Sequence, residues 1–317
     1  MLSLVTGGAG FIGSNLVRRL LEVGYDVRVL DDLSTGSLGN LDDLRGDIEL
    51  LVGDVRNVAA VEQAVAGADF VFHLAALPSV ARSVADPIAS HEVNVTGTLH
   101  VLQAARKSGA RKVVYASSSS LYGNTPTLPK HEDMPVSPLS PYAAAKLAGE
   151  TYCRAFTSVF GLPSVSLRFF NVFGPRQDPA SQYAAVIPRF ITRMLEGRAP
   201  EIFGDGRQTR DFTFVANATD ACLKAALAGP QADGEAMNVG CDDRISLLDL
   251  VGELNSLAGM SVSPVFTAPR PGDVQDSQAA IAKARALIGY EVGVDLRTGL
   301  GATLDWFADR AVSVPAP

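Results

Sequence analysis

Cysteine is scarce in this chain: Cys153, Cys222 and Cys241 are the three it has, far apart and with no C-x-x-C pair. That excludes a disulfide framework and a cysteine-built zinc site. The four histidines stand at no metal-ligand spacing, so no metal is expected, and His73 reads as a packing residue at a strand end. No apolar run is long enough to span a bilayer, and Met1 leads straight into a strand-like segment without a basic leader. A soluble, cytoplasmic chain without a membrane partner is expected. A net charge of −7 argues against a general nucleic-acid surface and leaves room only for local cationic pockets. Internal repeats and low-complexity segments are absent.

What is present is an ordinary globular composition, 47% hydrophobic and 19% charged over 317 residues, enough for one large or two modest domains. Leu2–Thr6 is a short apolar strand. Gly7-Gly8-Ala9-Gly10-Phe11-Ile12-Gly13 follows directly, and Ser14–Gly24 then carries apolar residues at helical spacing. Strand, glycine turn and helix form the setting of a dinucleotide fingerprint. Gly7, Gly10 and Gly13 let the backbone around Phe11 and Ile12 approach a pyrophosphate at the helix N-terminus. Asp26–Leu30 is a second strand, and Asp31 ends it roughly 20 residues past the glycines, where a ribose-binding acid belongs. An acid there suits the free 2′-hydroxyl of NAD and repels the phosphate of NADP.

Ile48–Gly53 and Phe70–Leu74 read as the third and fourth strands, with a helix over Ala59–Ala66 between them. Asp54 and Val55 are placed to meet an adenine, and Leu74, Ala75 and Ala76 allow a cofactor close approach. Ile88–Ser108 reads as one helix carrying Asn94. Lys112–Ala116 is a buried strand that gives way to the hydroxyl row Ser117–Ser120. Pro126, Pro129, Pro135, Pro138 and Pro141 keep the next loop extended. Tyr142 then opens an alanine-rich helix to about Phe160, and Tyr142 and Lys146 share one of its faces. An ammonium beside a phenol favours phenolate, so the Tyr142 pKa is expected to fall from about 10 toward neutrality. A tyrosine tuned that way is a general acid/base.

Strands alternating with helices at this spacing predict an α/β fold, a Rossmann doubly wound parallel sheet over residues 1–170, with ligands at the strands' carboxyl ends. After a strand at Pro163–Phe170 the alternation becomes irregular. Residues 171–317 therefore read mainly as a smaller substrate-binding domain. A stretch of about 212–243 is expected to return to the main sheet through strands Phe212–Val215 and Ala236–Val239. Leu247–Ala258 and Ser277–Ile288 read as helices and Val312–Pro317 as a frayed tail.

The segments TGGAGFIG, HLAA, SSSSLYG, PYAAAK, RFFNVFGP, GDGRQTRDFTFV and RPGD, with the acid at Asp31, resemble the extended short-chain dehydrogenase/reductase superfamily. They look most like its nucleotide-sugar epimerase/dehydratase branch, and Arg176–Pro188 is similar to bacterial UDP-N-acetylhexosamine 4-epimerases. The resemblance implies 4-epimerisation of a UDP-sugar through a 4-keto intermediate with bound NAD. Within it Tyr142 is the base, Lys146 bonds the nicotinamide ribose, Ser118 bonds the reacting oxygen, and Asn94 lies by the cofactor. Arg210 and Arg270 match diphosphate clamps, Asp273 a ribose contact, Asn171 a diphosphate or sugar contact, and Ala185–Pro188, with Val186, a uracil loop. Ser79 and Ser119 fall at the sugar. Ser277 occupies a gate position where a small residue admits an N-acetyl group, and Gln177 and Ala185 match the N-acetyl-accepting members. Pro78 departs from them, since glycine is usual there, and Ala216 and Asn217 lack an acid common in glucose-type enzymes.

The dehydratases carry an Asp-Glu pair where this chain has Ser119 and Ser120, so dehydration is not expected, and decarboxylation fits poorly for want of an acid in the serine row. UDP-GlcNAc/UDP-GalNAc interconversion is the expectation, with UDP-Glc/UDP-Gal as a second pair. A UDP-glucuronate 4-epimerase using Arg82 or Arg176 for the carboxylate is the nearest rival. A reductase releasing NADH and a non-catalytic NAD-binding regulator are further ones. The resemblance also implies a homodimer joined through the helices carrying Asn94 and Tyr142–Phe160, although Leu99, Leu102, Phe156 and Phe160 could equally be core within one chain.

Overall fold

A computed structural model describes residues 1–179, 185–268 and 275–313, with side chains to residue 310. Seven parallel strands form the main sheet: β1 (Leu2–Thr6), β2 (Asp26–Asp31), β3 (Ile48–Val52), β4 (Phe70–His73), β5 (Lys112–Ser118), β6 (Ser164–Phe169) and β7 (Glu235–Val239). Their order is β7-β6-β5-β4-β1-β2-β3. Helices cover both faces, so the central strands read as continuous apolar runs. Leu4, Val5, Val113, Val165 and Leu167 are wholly buried. The chain leaves β1 toward β2 on one side and later resumes at β4 on the other. That reversal opens a crevice at the carboxyl ends of β1 and β4.

Local chemistry sets the helices that flank the crevice. The Asn57 side chain accepts from Ala59 N and Ala60 N to start the helix Val58–Val65. Ser140 Oγ accepts from Ala143 N and Pro141 takes the first helical position, which starts the 20-residue helix Pro141–Phe160 where the proline-rich loop ends. The expected single helix 88–108 is interrupted. Pro87–His91 and Thr98–Ser108 are joined by a π turn, Glu92–Gly97, that holds Asn94. Such turns concentrate at functional sites.

A second cluster of buried side chains, among them Phe173, Ile187, Phe190, Phe212, Leu250 and Leu300, lies beyond β6. Between its parts the chain comes back to the main sheet through the helix Val215–Leu227, which packs on Phe11–Glu22, and through β7. Phe212–Val215 does not return as a strand. Thr213 and Phe214 pair instead with Val172 and Phe173 in a separate two-stranded ladder, and Val215 already begins the helix. Nor is Ser277–Ile288 helical throughout. Its backbone is committed to Thr209 and Lys130 through residue 280, and the helix begins at Ala282. The helix Leu296–Ser313 runs into the expected tail, whose residues 314–317 lie outside the described ones. No described helix is long and apolar enough to cross a membrane.

Candidate active site

The crevice is a cleft of about 710 Å³ over the carboxyl ends of β1 to β6. Gly7, Gly10, Phe11, Ile12 and Gly13 form one wall. Gly7 has φ +71°, and a Cβ there would lie 2.7 Å from Ala75 N; a Cβ on Gly13 would lie 2.0 Å from Gly7 O. Only glycine lets the turn, the helix and the β4 loop pack this closely. The first-turn N–H groups of Phe11–Glu22 have no partner inside the helix and open on the cleft, as an anionic pyrophosphate requires.

Asp31 closes β2 at the cleft. Its carboxylate accepts from Ala9 N at 2.9 Å and Leu33 N at 2.8 Å, so the same acid braces the glycine turn and lines the cavity. Burial pushes its pKa up while those backbone bonds pull it down. Val55, Leu74, Ala75 and Ala76 continue the lining, and Asp32, Thr35, Gly36 and Leu77 add to it. Two expected neighbours turn away. Asp54 spends its carboxylate on the Arg56 guanidinium and backbone. Asn94 accepts from Leu77 N and donates to Leu77 O and Ser90 Oγ, so it shapes the wall rather than joining it.

Ser118, Tyr142 and Lys146 meet on the far side of the cleft. Lys146 Nζ donates to Ala116 O at 2.7 Å, 5.0 Å above the Tyr115 ring and 5.9 Å from the centre of the Tyr142 ring. Burial lowers the Lys146 pKa to about 8. The Tyr142 pKa is raised rather than lowered: burial pushes it up, and the neighbouring Ser118 pulls the other way. The correction has a simple cause. The ammonium is bonded to a carbonyl and stands well off the phenol oxygen's ring, so desolvation of the phenolate wins. Ser118 Oγ also accepts from Ser120 N and Ser120 Oγ. Ser119 is half-buried in the short turn after β5 and does not line the cleft. His73 is neutral packing, held between Thr6 and Thr98 hydroxyls, with burial lowering its pKa to about 3.

Pro78, Ser79, Arg82, Asn171, Gln177 and Ala185 carry the cleft toward the second core. Asn171, at φ +32°, donates to Asp211 O at 2.8 Å and Ser277 Oγ at 3.1 Å, which brings Ser277 beside it. A second cavity of about 210 Å³ adjoins there, with Val186 and Arg210 in its walls and Arg189 stacked over the Phe203 ring. Sequence reasoning missed that stack, whose only signal was an aromatic in the IFGDG segment. Arg176 lies off the cleft and binds Asn15 Oδ1, and Asn217 is structural, bonded to Gly293 and Val294. Arg270 and Asp273 lie outside the described residues.

Behind the serine row lies a buried network that spacing did not reveal. Ser117 Oγ donates to Glu150 Oε1 at 2.6 Å, and Arg168 donates to both Glu150 oxygens at 2.9 Å. Arg168 also reaches the Tyr122 hydroxyl, which donates to Asn238 Oδ1 on β7.

The chain is similar along nearly its whole length to known proteins. It is 41% identical over 320 residues to a UDP-glucose 4-epimerase of Mycolicibacterium smegmatis, covering 98% of this chain and 100% of that one. A UDP-N-acetylglucosamine 4-epimerase of Methanobrevibacter ruminantium, solved with UDP-N-acetylmuramic acid, superposes with a TM-score of 0.93 at 36% identity, covering 97% and 98% of the two chains. The UDP-glucose 4-epimerase of Thermotoga maritima, solved with UDP-glucose, gives 0.93 at 36%, covering 98% and 100%. The family described as NAD dependent epimerase/dehydratase matches residues 3–240. With a glycine turn, an Asp31 and a Tyr142–Lys146 pair set around one cleft, the chain is an NAD-dependent enzyme and belongs to the NAD dependent epimerase/dehydratase family.

Proposed function

We infer that this NAD-dependent UDP-sugar 4-epimerase acts on N-acetylated hexoses, interconverting UDP-GlcNAc and UDP-GalNAc, with UDP-Glc and UDP-Gal as a second pair. One observation carries the sugar assignment. Gln177 Oε1 is buried with no hydrogen-bond partner among the described residues, while its amide nitrogen is held on Val172 O. Gln177 lines the cleft. A buried acceptor left bare costs about 1–3 kcal/mol, and the N–H of a 2-acetamido group supplies the missing donor. The small side chain of Ser277 beside Asn171 supports the same reading.

NAD, when bound, supplies the hydride acceptor and returns the hydride to the other face of the ketone. Tyr142 removes the C4 hydroxyl proton and later restores it, and Ser118 holds the reacting oxygen. Lys146 stabilises the phenolate that forms. Arg210, with Arg270 and Asp273, holds the nucleotide, since guanidinium forks suit phosphate geometry. Val84, Ile88, Tyr152, Val159 and Phe160 are exposed on helices that pack together, which supports a homodimer through that face.

Arg82 favours a second reading. Its half-buried side chain lines the cleft with Ser79, and a guanidinium there suits a uronate carboxylate. Incubation of protein purified without added NAD with UDP-GlcNAc, followed by separation of the epimers, decides. UDP-GalNAc formed without external cofactor is the expected result. Product from UDP-glucuronate alone would replace the sugar assignment with the second reading. Silence with every UDP-sugar, even with NAD added, would leave the regulator. Gln177→Ala should cut kcat/KM for UDP-GlcNAc by about tenfold and spare UDP-glucose.

A further inference from the structure

We propose that Glu150, clamped by Arg168, is the positioning residue of the reacting helix: it fixes Tyr142 and Lys146 in register with the end of β5 and sets a carboxylate one helical turn from Lys146. The inference rests on the reading of Tyr142, Lys146 and Ser118 as the reacting set.

The geometry is periodic. Tyr142, Lys146 and Glu150 fall at successive four-residue steps, one face of one helix. Each meets one of three consecutive residues of β5. Lys146 donates to Ala116 O, Glu150 accepts from the Ser117 hydroxyl, and Tyr142 lines the cleft beside Ser118. Glu150 is buried, as are its partners. It is 7% exposed, and its partners Arg168 and Ser117 are 6% and 4% exposed. Arg168 sits opposite Ser117 in the β5–β6 register and grips both carboxylate oxygens, the bidentate form with the strongest geometric preference. Through Tyr122 and Asn238 the same network reaches β7. Helix and sheet are thereby locked against sliding by even a fraction of a turn.

A buried ion pair is a poor device for stability alone, because apolar residues of the same volume serve at least as well. Its charge has a second use. The groups facing Lys146 are the Tyr115 ring from β5, His73 from β4, and Tyr142, Glu150 and Cys153 from its own helix. His73 is neutral, its pKa lowered by burial to about 3, and Cys153 is a thiol, pushed up by burial to about 12. Glu150 is the anion among them. It opposes the burial that strips Lys146 of its proton, and only the protonated lysine favours phenolate.

Glu150→Gln keeps the shape of the side chain and removes its charge. In the variant the alkaline limb of the kcat–pH profile should move about one unit lower, with KM for the UDP-sugar held within about twofold. Ser117→Ala, which leaves the charge, should lower kcat without moving that limb. Should the lone Arg168 cation prevent folding, Glu150→Gln with Arg168→Met removes both charges and should displace the limb in the same direction by a smaller amount. A readout without substrate runs beside these: the titration of the Lys146 ε-carbon in ¹³C-lysine protein, assigned with Lys146→Met. Lys146 should titrate about one unit lower in Glu150→Gln than in the native chain. An unmoved lysine titration, or a limb that stays in place, overturns the proposal. If the native chain turns over no UDP-sugar while the lysine still shifts, the reading of the reaction fails and the coupling of Glu150 to Lys146 stands.

Discussion

Lys146 Nζ and the Ala116 carbonyl oxygen are 2.7 Å apart, and this bond, rather than contact with the Tyr142 oxygen, holds the lysine. Lys146 is 3% exposed and its pKa is lowered by burial from 10.5 to about 8. A lysine whose folded pKa lies below its unfolded one costs stability while protonated, so the cost is present below about pH 8 and fades as pH rises from there to 10.5. It is on the order of 3 kcal/mol at most. Lys146→Met should therefore lose activity yet unfold at the same urea concentration or higher at pH 7. A clear drop in the midpoint would show that the lysine is structural.

Tyr142→Phe removes the proton carrier without altering the helix start, since Ser83 Oγ accepts from the Tyr142 backbone N–H, not from its side chain. Activity should fall by about 10²–10⁴-fold, with the retained cofactor and the melting temperature unchanged. Steady-state epimerisation beside absorbance of bound cofactor checks this. Residual activity within tenfold of native would move the base elsewhere.

Asp31 braces the glycine turn and lines the cleft where the ribose of NAD is expected, and Asp31→Asn tests both parts of that reading. The amide can still accept from one of Ala9 and Leu33 but offers an N–H to the other, so the glycine turn loosens and the ribose loses its acceptor. NAD binding measured by calorimetry should weaken by roughly tenfold or more, about the worth of one charged hydrogen bond. The same variant should discriminate less against NADP.

Asp211 gives the chain a pH-dependent stability. The side chain is wholly buried and accepts from Cys241 N at 2.8 Å and Ala279 N at 2.9 Å. Burial nevertheless pushes its pKa up to about 7 from the ordinary 3.8. The folded state thus holds this proton more tightly than the unfolded one. Its contribution is complete below pH 3.8 and is lost as pH rises through about 7. Unfolding free energies from urea titrations should decline between pH 5 and pH 8, and Asp211→Asn should flatten that decline. Parallel curves for the two proteins would count against it.

Much of the cleft was legible because its determinants are local. A glycine turn after a strand, an acid at the next strand end and a Tyr-x-x-x-Lys helix start are each decided within a few residues. What escaped depends on distant partners. The Tyr142 pKa follows burial by the whole fold, which spacing does not report. The extended course of Ser277–Ala280 is set by Thr209 and Lys130, about 70 and 150 positions away in the chain. Glu150, Arg168 and Ser117 are 18 and 33 residues apart and meet only when β5 and β6 pair.

The return of the chain to the main sheet after its excursion into the second core bears on how this molecule could be divided. β6 is bordered on its outer side by β7, which arrives some 65 residues later, and by the helix Val215–Leu227 over its face. A fragment cut after residue 170 would end on β6 with its hydrogen-bonding edge bare, and with Val165 and Leu167 stripped of cover. The half of the chain that carries the glycine turn is thus no free-standing module to be grafted or expressed alone. It is finished by residues from the other half, and cofactor cradle and sugar pocket are inherited together or not at all.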